Sequence, residues 1–117
     1  MNIKVHSIPT ASSDNIQQQL RYKQFLLLGQ KYPGMRLVPT QEIDAVLHTN
    51  MTNTNSKTLF NTLIKHIPEF GMGGAEEYLE WQLIFAQTKA LFEQTFGKGS
   101  MGDSPPACCE ILIHPLV

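Results

Sequence analysis

Apolar positions along the chain recur mostly at helical spacing. Ile16, Leu20, Lys23 and Leu27 form one stripe, which Phe25 and Leu28 widen. Ser12, Ser13 and Asp14 precede it as N-cap candidates, so the spacing predicts a helix over 14–30. Gly29 weakens its end, and Tyr32-Pro33-Gly34 stops it. Pro39-Thr40 opens a second helix, where Ile43, Val46 and Leu47 recur at i, i+3, i+4 as a buried face does. The Thr/Asn-rich stretch 49–55 competes with helix and reads as a connection. Leu59, Phe60, Leu63, Ile64 and Ile67 then suggest a third helix over 56–66, closed by Pro68. The longest pattern runs over 75–96, through Tyr78, Trp81, Phe85, Phe92, Leu79, Leu83 and Leu91. A helix apolar on several sides is expected at the centre of a bundle or against a second subunit.

The ends alternate instead. Ile3 and Val5 alternate with Lys4 and His6 up to Pro9, and the tail from Cys109 to Pro115 is β-like. The expected fold is therefore mainly α: a compact four-helix domain over 1–97 with short extended N- and C-terminal segments. Residues 98–117 read as a Gly/Ser/Pro linker and a tail that packs on the domain or on a partner. The 117 residues suit one core. No apolar run approaches the ~20 residues that span a bilayer. Nor does the N-terminus look like a Sec signal peptide.

Net charge is −1, which argues against nucleic-acid binding. The charge is unevenly spread. Residues 1–65 carry seven Lys/Arg and three Asp/Glu, and residues 66–117 carry two and seven. Glu69, Glu76, Glu77 and Glu80 make the densest acidic stretch, either a solvated helix start or a docking face for a basic partner. Aromatic and Met side chains anchor interfaces, so Met72 and Trp81 join Glu76, Glu77 and Glu80 as the partner-binding candidates.

Candidate chemistry centres on 39–71. Asp44 and His48 lie four apart, and His66 follows eighteen residues later. A carboxylate can orient an imidazole at a metal or catalytic site. The same pair can equally be polar trim that fixes the second helix against the third. Cys108 and Cys109 are adjacent, a poor geometry for a disulfide, and read as reduced and structural. No Cys-type zinc motif or Ser-His-Asp elbow occurs.

Asp44-x-x-Leu47-His48, the Thr/Asn segment, the run from Lys65-His66 through Pro68 to Phe70-Gly71, and Phe92-Glu93 through Phe96-Gly97 resemble the small bacterial glycine-rich-domain-protein-like family, over about Tyr22 to Gly97. The resemblance implies Trp at Leu47, His at Asn50, Asp at Asn53 and His at Lys65. This chain departs at all four, which implies a retained scaffold with a degraded polar site and no cofactor. The chain also resembles Legionella effectors that inhibit ubiquitin-modifying transglutaminase and deamidase effectors. That resemblance implies a non-catalytic inhibitor of such an enzyme, homodimeric when unbound, acting in the bacterial cytoplasm or translocated into the host cytoplasm. The alternative is a small metal-binding or hydrolytic enzyme using Asp44, His48 and His66.

Overall fold

The computed structural model describes the backbone of residues 7–50, 56–59 and 62–115, and side chains within 15–50 and 62–115. Among the described residues, three helices and three strands follow one another: α1 (Ser7–Lys31), α2 (Gln41–Thr49), β1 (Ser56–Leu59), β2 (Thr62–Pro68), α3 (Ala75–Phe96) and β3 (Cys109–Pro115). The strands form one antiparallel sheet in the order β1-β2-β3. The fold is mixed α and β. The expected all-helical, four-helix bundle is overturned at the predicted third helix, which is instead β1 and β2.

The reason is visible in burial along β2. Thr62, Ile64 and His66 are buried, whereas Lys65 and Ile67 are exposed, so the working period is two. Leu63, Ile64 and Ile67 also satisfy a helical period, and a short apolar run carries both readings. β-Branched Thr58, Thr62, Ile64 and Ile67 favour the pleated surface. Pairing with β3 decides the matter, from Thr62 opposite Pro115 to Pro68 opposite Cys109.

β3 is held on both sides. Its second neighbour is the connection from α1 to α2: Leu37 and Ile111 exchange backbone hydrogen bonds of 3.1 and 2.7 Å, and Gly34 N donates to Ile113 O. The tail is thus an inner part of the domain. The expected extended run through Pro9 differs as well. Residues 1–6 lie outside the described residues, and 7–11 belong to α1. Proline is tolerated there because a first-turn N–H has no partner within the helix.

α2 begins as its sequence predicts. Thr40 Oγ1 accepts from Ile43 N at 3.1 Å as N-cap, and Ile43, Val46 and Leu47 are buried. Those three belong to one buried cluster with Tyr22, Phe25, Leu26 and Leu28 of α1, Ile64 of β2, Phe92 of α3, and Ile111 and Ile113 of β3. Each such side chain stabilises the fold by about 1.5–3 kcal/mol on burial. Gly29 lets α1 lie directly on β3, since a Cβ there would sit 2.7 Å from Ile113 Cβ. α3 runs to Phe96 as predicted but is not central. Only Thr88 and Phe92 are buried along it, while Leu79 and Leu83 face solvent. Among the described residues, no helix is long and apolar enough to cross a membrane.

Candidate functional site

α2 lies against the sheet so that Asp44 and His48, one turn apart, reach β2 and β3. His66 is the inward-facing residue of β2 nearest them, 6% exposed. Cys109 opens β3 opposite Pro68, diagonal to His66 on the same face. Asp44 Oδ1 is 3.3 Å from His66 Nε2 and accepts from Cys109 Sγ at 3.4 Å. Its other oxygen, Oδ2, is 3.3 Å from His48 Nε2. The two imidazoles stand edge to face, with centroids 4.7 Å apart.

The electrostatics are unusual. His66 Nε2 is buried, with the Asp44 carboxylate oxygen 3.3 Å away. Burial pushes the His66 pKa below its ordinary value, more than the neighbouring Asp44 charge raises it. Burial likewise pushes the Cys109 thiol far up, and the Asp44 carboxylate adds to the effect. Three electron-rich atoms, one each from Asp44, His66 and Cys109, lie within 4.8 Å of one another. Carboxylate, imidazole and thiol together are the donor set of a borderline divalent ion such as Zn²⁺.

Two of the three distances agree with that chemistry. Metal–ligand bonds near 2.0 Å for N or O and 2.3 Å for S give tetrahedral edges of roughly 3.3 and 3.5 Å. The observed 3.3 Å and 3.4 Å separations from Asp44 Oδ1 match them, while His66 and Cys109 lie within 4.8 Å of each other and would draw closer around an ion. His48, with its side chain 56% exposed, is placed to hold the second carboxylate oxygen and so orient Asp44.

Comparison with family models, with curated proteins and with solved structures finds no match. The site therefore stands on its own geometry.

His66, eighteen residues beyond His48, comes together here with the neighbouring pair Asp44 and His48. Cys109 was missed. The sequence pattern marks it as reduced and structural, although the β-like tail separates it from Cys108, which is exposed. The positions that depart from the resembled family lie elsewhere. Leu47 is core, Lys65 is exposed, and the Asn50 side chain donates to Val46 O at 2.9 Å. Asn53 lies outside the described residues.

The partner-binding candidates are spread along α3 and the loop before it. Met72 is 69% exposed and Glu76 is exposed. Glu77 Oε2 accepts from the backbone of Gly71 and Gly73, at 2.7 and 3.2 Å. Glu80 pairs with Arg36 at 2.9 Å, and Arg36 also binds the buried Glu110. Trp81 Nε1 donates to Ala107 O at 2.8 Å, while its ring packs under Gly71. Three of the five thus have polar atoms engaged within the chain.

Proposed function

We propose that this protein binds a divalent transition metal ion of the zinc class through Asp44, His66 and Cys109. The observation that carries this reading is the gathering of the buried His66 Nε2, an Asp44 carboxylate oxygen and the Cys109 thiol, with Asp44 Oδ1 3.3 Å and 3.4 Å from the other two. Without a cation, the buried imidazole faces the Asp44 carboxylate while burial disfavours the protonated form that would pair with it best. A metal ion engages both groups and draws the Cys109 proton off, giving a thiolate ligand. His48 holds Asp44 by its free oxygen. Three protein ligands leave a fourth position for water or another donor.

The test is direct. Purified protein is loaded with Zn²⁺, and stoichiometry and affinity are read by elemental analysis and calorimetry. One ion per chain is expected. His66→Ala and Cys109→Ala each abolish stoichiometric binding, and His48→Ala weakens it about 10–100-fold. Co²⁺ in place of Zn²⁺ gives thiolate charge-transfer absorption that Cys109→Ala removes. Folded protein that takes up no zinc, or zinc uptake indifferent to both ligand substitutions, refutes the reading.

A second reading, a non-catalytic protein-binding role, is favoured by the exposed Met72, Leu79 and Leu83 next to Glu76. Apolar side chains rimmed by carboxylates suit a basic, partly apolar protein surface. Proximity labelling in cells checks it. Leu83→Glu should remove the labelled partner, and an unchanged labelling pattern rules this face out.

A further inference from the structure

Beside the trio of Asp44, His66 and Cys109 stands one further donor, the His48 imidazole. Asp44 and His48 lie four apart on α2 and so share a face. That is the spacing at which one helix gives two ligands to one ion. His48 Nε2 lies 3.3 Å from Asp44 Oδ2. A tetrahedron built on bonds of about 2.0 Å has edges of roughly that length. The His48 and His66 rings stand edge to face at 81°, with centroids 4.7 Å apart. Two imidazoles bound to one tetrahedral ion set their ring centres roughly 5 Å apart. The His48 side chain is 56% exposed, so it has room for the small turn that separates the two arrangements.

Other donors near Cys109 are turned away. Glu110 follows it on β3, where successive residues point to opposite faces, and Glu110 is held by Arg36. Cys108 is exposed. His114 lies three pairs further along the ladder, opposite Leu63. Charge favours an imidazole as well. One carboxylate and one thiolate cancel the two positive charges of the ion, so a bound water is acidified less there, and a neutral nitrogen is the better fourth donor.

We propose that His48 turns from Asp44 onto the ion and binds it through the Nε2 lone pair, so that Asp44, His48, His66 and Cys109 close the loaded site. Closure presupposes the metal binding proposed above and decides what the ion does. An open position is what metal-assisted hydrolysis needs, whereas four protein ligands make a structural ion. The ion then staples α2 to β2 and β3 and carries no reactive water.

Nuclear magnetic resonance of the imidazole nitrogens and a competing ligand test it. On addition of one equivalent of Zn²⁺, Nε2 of both His48 and His66 should shift to metal-bound values. In the Co²⁺-loaded parent, imidazole at about 10 mM should leave the visible spectrum unchanged, because no position is open. The same imidazole should change the spectrum of Co²⁺-loaded His48→Ala and tighten its Co²⁺ binding about tenfold or more, by filling the vacated position. A His48 nitrogen that does not shift with Zn²⁺ overturns closure while metal binding stands. So does a parent spectrum that moves with imidazole, or a His48→Ala spectrum indifferent to it. Folded protein that takes up neither ion overturns closure and metal binding together.

Discussion

Gly29→Ala sets two effects of opposite sign against each other. In a solvent-facing helix the change stabilises by about 1 kcal/mol, because alanine is the better helix former and restricts the unfolded chain. Here the new methyl would meet Ile113 at 2.2 Å from Cδ1, 2.7 Å from Cβ and 2.8 Å from Cγ1. Unstrained carbon contacts lie near 3.5–4.0 Å. Rotation about χ2 can move Cδ1 away. It cannot move Cβ, whose position follows the β3 backbone. That backbone is fixed between β2 and Leu37. α1 must therefore lift off the sheet by about 1 Å, and overpacking of this kind costs roughly 1–3 kcal/mol or more. The clash wins. A net loss of about 1–2 kcal/mol is expected, and a Tm lower by roughly 4–10 °C for a domain of this size. Urea unfolding followed by circular dichroism measures it. In an Ile113→Ala background the same substitution should turn neutral or stabilising, a coupling of about 1–3 kcal/mol. A Gly29→Ala protein as stable as the parent would refute the close approach of helix and strand.

Other outcomes follow from single contacts. Thr88 Oγ1 accepts from Val38 N at 3.1 Å and donates to Ile84 O at 2.7 Å. Thr88→Val strands a buried N–H and should cost about 1–3 kcal/mol in urea unfolding, with Thr88→Ser costing less. Glu77→Ala releases the Gly71 and Gly73 amides. It should lower stability by about 1 kcal/mol and speed hydrogen exchange at Gly71. Zinc loading should expel about one proton, because burial keeps the Cys109 thiol protonated in the free protein. Apparent affinity then rises with pH, and calorimetry in buffers of different ionisation enthalpy counts the proton.

Helices with capping signals were legible in the sequence. Thr40 announced α2, and the long apolar pattern closed by Gly97 announced α3. The strands were not, because Leu63, Ile64 and Ile67 fit both periods and only β3 chooses between them. That choice is non-local, made by a partner more than forty residues away. The exposure of Leu79 and Leu83 was hidden for a similar reason. A pattern shows that a helix is apolar, but not whether the rest of the chain has the area to cover it. Asp44, His48 and His66 stood out by residue type and spacing. Cys109 did not, since its role depends on the diagonal neighbour it acquires across the sheet.

Cys109 also ties the site to the order in which the domain assembles. Ile111 meets Leu37 across 74 positions, and Cys109 reaches Asp44 across 65. Contacts this distant form late and close large loops, which slows folding. Until β3 docks, Asp44 and His66 lack their Cys109 neighbour. Once it docks, an ion bound as proposed would clasp the closing strand to α2 and β2. Metal would thus act as a latch on the slowest step, lowering the escape rate of the finished fold more than it hastens arrival.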